Sequence, residues 1–357
     1  MNLEEWRKQI DAIDEQLISL LNERTALALQ IGKRKQEEGA EVYVPAREKA
    51  VLDRVAQLNQ GPLPDDAIRA IYREIMSASI SLEQPVRVAY LGPPATFTHQ
   101  AARLRFGASV EYLPCQTIAE VFGAVQRGTC AYGVAPIENS TEGSVNSTLD
   151  ELMVSPIRIY AEMYAPISHH LMSLHNEIEK VYSHPQVFGQ CRVWLATHLP
   201  RAEQVPVSST SRAAQLAKQE PASAAVGSEL AAELHGLPIV HRHIEDKAGN
   251  ATRFIVLAKR YGGPTGTDKT SIAFSVQDRV GALHEALAAF ERHRLNLARI
   301  ESRPSKSKAW EYMFMVDLEG HAEDEPVRNA LRDLAEHCTT LTILGSYPRE
   351  AALLGAE

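Results

Sequence analysis

The sequence predicts a multidomain protein in three parts: an all-helical N-terminal region, an α/β middle region and an α+β C-terminal region. Three observations carry this prediction. Apolar residues recur at helical spacing through the first 84 positions, the period shortens to that of strands at Val86, and a Gly/Pro/Thr-rich stretch precedes a strand, helix, strand, strand, helix, strand series. At 357 residues and 45% hydrophobic content, the chain exceeds one ordinary core and has the apolar residues for two or three. A net charge of -8 excludes the concentrated basic face of a nucleic-acid footprint. No segment approaches the roughly 18 uninterrupted apolar residues of a membrane span, and the start MNLEEWRKQIDAIDEQL has no apolar signal core, so a cytoplasmic protein is expected. Cys115, Cys130, Cys191 and Cys338 are scattered without metal-ligand spacing and read as reduced thiols, and neither metal nor cofactor is expected.

In the first region Trp6, Ile10, Ile13, Leu17, Leu20, Leu27 and Ile31 are spaced by threes and fours with one skipped position, Arg24. The pattern breaks at EEGAEVYVP and resumes after Pro45 with Val51, Leu52, Val55 and Leu58. It stops at Asn-Gln-Gly-Pro and resumes with Ile68, Ile71, Ile75 and Leu82, giving one long and two shorter helices. An arginine on an apolar seam needs an anion: either a core partner (Glu23, Asp14 or Glu48) or a ligand. At about 100° per residue, Lys35 returns to within roughly 20° of the face of Arg24. Glu48 lies on the apolar face of the second helix, and Ser79 and Glu83 lie beside Leu82 on the third. Arg7 lies roughly 25 Å up the helix and rotated by about 100°, so it reaches a similar site only on another chain.

This arrangement resembles the all-helical chorismate mutase family, matched at Arg7, Arg24, Lys35, Arg47, Glu48, Ser79 and Glu83. The resemblance implies an intertwined homodimer, or a higher homo-oligomer, in which each site borrows an arginine from the partner. It also implies the pericyclic conversion of chorismate to prephenate. That reaction needs no nucleophile: Arg7 and Arg24 would clamp the carboxylates, Lys35 would meet the ether oxygen and Glu48 would accept the ring hydroxyl. Val44 stands where many relatives carry an aspartate, and Glu83 where glutamine is common. A glutamate there donates a hydrogen bond only when protonated, so mutase activity is expected to fall as pH rises through a raised pKa.

From Val86, strand-like runs (VRVAYLG, CAYGVAPI, HHLMSL, KVYSH) alternate with helical text, which implies an α/β domain with a largely parallel sheet. Polar clusters stand at the strand ends: GPPATFTHQA, PIENSTEGSVNSTLD, YSHPQVFGQC, VSSTSRAA and NATRF. Singly, each reads as a helix cap or turn. In this order they resemble prephenate dehydratase over roughly residues 86–260. That resemblance implies a two-lobed fold like that of periplasmic binding proteins and conversion of prephenate to phenylpyruvate by loss of carbon dioxide and the ring hydroxyl. Thr252 of the Thr-Arg-Phe motif is then the catalytic residue, with Thr96, Glu138, Asn139, Ser140, Gln186, Ser209 and Arg253 as substrate-binding candidates. For Arg253, a structural ion pair and a carboxylate contact stand equal. Ala95 replaces the glycine usual in the family and puts a Cβ where positive φ or close ligand approach is needed. His169, His170, His241 and His243 show no complete metal-ligand spacing and read as surface or supporting histidines.

The last region reads TSIAFSVQ (strand), GALHEALAAFERH (helix), LNLARIESRP (strand), WEYMFMVDLEG (strand), PVRNALRDLAEH (helix) and TLTILGSYP (strand), the ferredoxin-like plan. Gly281-Ala282-Leu283-His284 and Glu301-Ser302-Arg303-Pro304 are similar to the two phenylalanine-binding motifs of the ACT regulatory domain, implying L-phenylalanine as effector. The expected division is 1–84 for the mutase, 85–261 for the dehydratase, 262–268 for a linker, 269–350 for the ACT domain and 351–357 for a tail. Over its full length the chain resembles the bifunctional chorismate mutase/prephenate dehydratases of phenylalanine biosynthesis. The rival readings are a mutase joined to a non-catalytic binding and regulatory module, and a mutase joined to a dehydrogenase. Against the latter stands the missing Gly-x-Gly-x-x-Gly fingerprint.

Overall fold

The computed structural model describes residues 2–38, 43–83, 85–304 and 312–350. The chain divides into two compact units, Met1–Arg87 with Phe106–Glu111, and Val88–Arg105 with Tyr112–Glu357. The tail expected over 351–357, and Trp310 and Glu311 of the expected strand, lie outside the described residues.

The first unit holds α1 (Leu3–Glu37), α2 (Pro45–Leu58) and α3 (Asp65–Glu83). Glu4 and Glu5 in the first turn of α1 and Arg34 and Lys35 in its last oppose the helix dipole with the stabilising sign. Pro45 starts α2, where its missing N–H has no helical partner to lose. α3 packs against both α1 and α2. The apolar seam of α1 is nevertheless open: Trp6, Ile10 and Leu17 are 51%, 55% and 51% exposed.

In the second unit β1 (Arg87–Leu91), α4 (Phe97–Phe106), β2 (Glu111–Cys115), α5 (Ile118–Arg127), β3 (Tyr132–Asn139), β4 (Gly143–Ser144), α6 (Asn146–Val154) and β5 (Arg158–Pro166) build a first lobe. A second lobe follows with β6 (His170–Met172), β7 (Lys180–Ser183), α7 (Pro185–Gln190), α8 (Arg192–His198), β8 (Glu203–Pro206), α9 (Thr210–Gln219), β9 (Ser223–Gly227), α10 (Glu229–His235) and β10 (Ile239–His241). The chain then returns as β11 (Ala251–Ala258), antiparallel between β3 and β5. Two crossings therefore join the lobes, tied together where Ile167 N–H donates to Asn250 O at 2.8 Å. The second-lobe sheet, ordered β10-β6-β9-β7-β8, is apolar on both faces because alternate residues point opposite ways. Met172, Tyr182 and Ala225 meet the alanines of α9 and α10, while Leu171, Val181 and Ala224 meet α7 and α8.

The C-terminal elements are β12 (Asp268–Ser275), α11 (Ala282–Arg292), β13 (Leu297–Pro304), β14 (Tyr312–Glu319), α12 (Glu325–His337) and β15 (Thr340–Pro348). Their antiparallel order β13-β14-β12-β15 is the ferredoxin-like one. β15 also pairs with β5 through Gly345 and Ile159, joining both regions into one sheet of ten strands. Gly345 permits this junction, since a Cβ there would stand 2.3 Å from Ile159 O.

One expectation is corrected. The sheets of the middle region are mixed, not largely parallel: β1 and β3 run parallel, but β11 is antiparallel to both its neighbours, and β6 is antiparallel to β9 and β10. Alternating strands and helices give the right layers, but a chain that crosses between lobes and back reverses strand direction at each return.

Candidate active sites

In the helical unit, Arg24 Nη1 donates to Ser79 Oγ at 3.4 Å, and that hydroxyl donates to Ile75 O at 2.9 Å. Glu83 lies over Gly32 of α1, where a Cβ would come within 2.7 Å of the Glu83 side chain. Burial raises the pKa of Glu83, and the charge of Lys35 beside it only partly opposes the shift. Arg24, Lys35, Ser79 and Glu83 are thus brought together. Glu48 accepts from the buried Tyr43 hydroxyl at 2.8 Å. Arg7 and Arg47 are exposed, and Val44 caps α2 without a side-chain hydrogen bond. Two residues passed over in the sequence matter here, Gly32 and Tyr43. A glycine inside a helix costs about 1 kcal/mol against alanine, which was the available signal for Gly32.

The second unit carries a cavity of about 420 Å³ between its lobes. The first lobe lines it with Thr96, Phe97, Asn139, Glu142, Thr252 and Phe254, and the second with His169, His184, Gln186, Gln190, Ser209 and Thr210. Thr252 stands at the start of β11, 7% exposed, opposite Asn139 on β3. Asn139 Nδ2 donates to Thr252 Oγ1 at 2.8 Å and to Asn250 Oδ1 at 3.0 Å, while Asn139 Oδ1 accepts from the N–H groups of Thr141 and Glu142. The amide fills an acceptor position of Thr252, leaving its O–H as the free donor.

Three helices begin at this wall. Thr96 precedes α4, its Oγ1 donating to Leu91 O at 3.1 Å, and His184 and Ser209 cap α7 and α9. No lysine or arginine is among the described residues lining the cavity. Anionic groups would be met here by N–H donors at helix starts rather than by side-chain cations.

Five candidates therefore share the cavity: Thr96, Asn139, Gln186, Ser209 and Thr252. Three do not, and are corrected. Arg253 is 4% exposed but on the opposite face of β11, as strand alternation requires. It donates to Glu162 at 2.9 Å, to Asp317 at 2.6 Å and to the Tyr347 hydroxyl at 2.9 Å, so it is the structural ion pair and not a carboxylate contact. Lys269 Nζ reaches Glu162 at 2.8 Å. Although burial pushes Asp317 upward, Arg253 and Ser271 outweigh it and hold the carboxyl below its ordinary value. Glu138 likewise leaves the cavity and lies 3.4 Å from Arg299. Ser140 supports the turn, accepting from Ala251 N–H at 3.0 Å.

Ala95 adopts φ 68° and is fully buried, its N–H donating to His99 Nδ1 and its carbonyl accepting from Ser228. The backbone takes the left-handed form despite the Cβ, at a cost of about 1–2 kcal/mol. His169 and His170 are 1% and 4% exposed, so neither is a surface histidine. His243 packs against His170 and His241 against Trp194. Gln190, Thr210 and Asn250 fall within the strand-end clusters without standing out as candidates, and His169 read as a surface or supporting histidine; all four line the cavity because the lobes face each other.

In the C-terminal region Gly281 caps α11 at φ 83°, and Leu283 packs into the core between the helices and the sheet. Ser275 and Arg303 both register with Met313, so both expected effector motifs lie at one end of the sheet. Ala282 is buried, while His284, Ser302 and Pro304 are exposed. Glu301 and Arg303 turn toward the first lobe of the middle region: Ser144 donates to Glu301, and Arg303 donates to Asn146 O at 2.8 Å and pairs with Asp150 at 3.3 Å.

The sequence matches the family models for chorismate mutase type II over residues 6–84, prephenate dehydratase over 88–261 and the ACT domain over 270–336. It is 49% identical to the bifunctional chorismate mutase/prephenate dehydratase of Aquifex aeolicus (strain VF5), over 97% of this chain and 98% of that one. The solved prephenate dehydratase of Arthrobacter aurescens in complex with L-Phe superposes with a TM-score of 0.68 at 34% identity, covering 76% of this chain and 93% of that one. The structure of GqqA, described as a novel type of quorum quenching acylase, gives a TM-score of 0.68 at 30% identity, over 74% of this chain and 98% of that one.

Proposed function

This chain belongs to the family of bifunctional chorismate mutase/prephenate dehydratases, and we propose that its two sites act in succession. The helical unit converts chorismate to prephenate, and the cavity of the second unit converts prephenate to phenylpyruvate. The observation that carries the second step is the Asn139–Thr252 pair facing a cavity bordered by three helix starts. Prephenate brings two carboxylates, a ketone and a ring hydroxyl. The carboxylates are met by N–H groups at the starts of α4 and α9, with their Thr96 and Ser209 caps, and by Gln186. Thr252 O–H then points at the departing hydroxyl. The C1–carboxylate bond breaks, its electron pair aromatises the ring, the C4–O bond breaks, and the oxygen leaves as water on taking a proton through Thr252. Exclusion of water in the closed cleft strengthens that donor. An acylase would need a base-activated nucleophile, whereas Ser209 Oγ accepts the Arg212 N–H and Thr252 is bonded to an amide.

In the helical unit, Arg24 and the partner's copy of the exposed Arg7 position clamp the carboxylates of chorismate. Lys35 and protonated Glu83 meet the ether oxygen, and Glu48 takes the ring hydroxyl. The open seam of α1 supports a homodimer, because an apolar stripe of this length on a soluble chain calls for a covering helix. No described helix is long and apolar enough to cross a membrane. L-phenylalanine acts as feedback inhibitor at the end of the C-terminal sheet where Gly281 and Pro304 lie. Glu301 and Arg303, being held by the segment 144–150 beside the cavity, connect that end to the site.

The test is to supply prephenate alone and follow phenylpyruvate with wild type and Thr252→Ala. We expect turnover by wild type and a loss of about 10³-fold in the variant, within the range for a positioned proton donor, with chorismate consumption unchanged. Absence of wild-type turnover while chorismate is consumed would replace the dehydratase by the binding-module reading.

A further inference from the structure

Gly32 stands inside α1, where any other common helix residue would be favoured over it. It is buried, although Ile31 and Lys33 on either side are exposed. What covers it is the last residue of α3: a Cβ on Gly32 would stand 2.7 Å from both Cγ and Oε2 of Glu83 and 2.9 Å from its Cδ. These three nearest atoms all belong to one flexible side chain, so the cheapest answer to an added methyl is for Glu83 to leave. The helix cost of Gly32 is thus matched to one contact, the carboxyl of Glu83 lying where a side chain of α1 would be.

That position decides the charge of the carboxyl. Burial raises its pKa. Glu83 also ends α3, whose last turn carries no basic residue, and the negative end of a helix dipole disfavours a carboxylate. Lys35 of α1 pulls the other way, more weakly. Among the other charged groups of α1 and α2, Arg24 donates to Ser79, one turn before Glu83. Glu48 accepts from Tyr43, and Asp53 is held by Lys49 and by Arg69 of α3. The copy of Arg7 from a second chain belongs, in the reading above, to the substrate's carboxylates.

Resting on that mutase reading, we propose that Gly32 is a positioning residue of the site: its missing side chain forms the seat that holds the Glu83 carboxyl against α1, as a hydrogen-bond donor to the ether oxygen of chorismate. That oxygen gains negative charge as its bond to the ring breaks and the new C–C bond forms, and no proton leaves Glu83 in the step. Lys35, one turn along the same helix from Gly32, meets the same oxygen. Displaced into solvent, the carboxyl would ionise in its ordinary range and could no longer donate.

The test measures mutase kcat/KM from mildly acid to mildly alkaline pH for wild type, Gly32→Ala, Glu83→Gln and the double variant, with thermal unfolding as the check of the fold. For Gly32→Ala we expect a loss of about tenfold at neutral pH that closes to within about threefold at the acid end, where a solvated carboxyl begins to take up its proton. The melting temperature should not fall, since alanine is the better helix residue. Adding Glu83→Gln, whose amide donates at every pH, should recover most of the loss at neutral pH. No loss in Gly32→Ala, a loss equal at each pH, or a loss that Glu83→Gln does not lessen would overturn the seat in favour of a packing role. A wild-type profile that is flat over this range would overturn the donor reading of Glu83 itself, a result separate from a pH-dependent wild type with an indifferent Gly32.

Discussion

Trp6, Ile10 and Leu17 stand about half exposed on α1, whereas Phe254, Ile255, Val256 and Leu257 on β11 are buried within 1%. The polar residues beside these two runs differ in the same way. Thr252 is fixed by Asn139, itself fixed by Thr141, Glu142 and Asn250, all within one unit. Arg24 has Ser79 at a long 3.4 Å, and the one cation expected to complete its site, Arg7, is exposed. The difference fits the proposed reading, in which one site is finished by the chain's own core and the other by a second copy. An open lobe pair needs only two crossings to close on its ligand, while a single long helix has no second layer to bury its seam.

The largest effect that sharpens this contrast lies behind β11. Arg253→Ala leaves Asp317 buried without its paired cation and Glu162 with Lys269 alone, and we expect a loss of about 3–5 kcal/mol in stability of the second unit. Denaturant unfolding checks this. An unchanged stability with a raised KM for prephenate would instead restore Arg253 to the substrate.

Next comes the mutase site proposed to be shared. Arg7→Ala should lower mutase kcat/KM by about 10²-fold and leave the dehydratase untouched. Mixing Arg7→Ala with Arg24→Ala chains and allowing exchange should restore about a quarter of wild-type mutase activity, because half of the dimers are mixed and each carries one intact site. No recovery on mixing, in a protein shown to exchange subunits, would mean that both arginines act from one chain.

A smaller effect separates the two sites by pH. Glu83 has a raised pKa because it is buried, and in its proposed role as donor to the ether oxygen it acts only when protonated. Mutase kcat/KM is therefore full below that pKa and declines about tenfold per unit above it, while Glu83→Gln flattens the profile. A wild-type mutase profile that stays flat from mildly acid to mildly alkaline pH would remove Glu83 from the proton-donor role.

The smallest effect concerns the loop before α4. Ala95→Gly should stabilise the second unit by about 1 kcal/mol, since glycine accepts φ 68° without the Cβ clash. Thermal unfolding reads the change, and a lower melting temperature would show that the buried methyl contributes more by packing than it loses in strain.

Much of this was legible in the residues. Periodicity alone separated helix from strand: the skipped seam position at Arg24 pointed to a site, and Thr252, Asn139 and Gln186 fell in strand-end clusters that open α/β sheets use for ligands. The order of the six C-terminal elements was enough to name their sheet. These are local signals, set by the spacing of side chains along one segment.

Tertiary structure alone decided the rest. Whether Arg253 faces substrate or core depends on which face of the shared sheet carries Glu162, Asp317 and Tyr347, and nothing near Arg253 in sequence encodes Asp317 or Tyr347. Glu138 and Asn139 are neighbours with the same cluster membership, yet pleating sends one toward Arg299 and the other toward Thr252. His169 read as a surface or supporting histidine because its neighbours Gln190, Glu245 and Phe97 come from three other segments. Local patterning fixes which face of an element is apolar. Only the packing of distant segments fixes which partner that face meets, and with it whether a polar side chain there becomes a buried brace or a wall of the site.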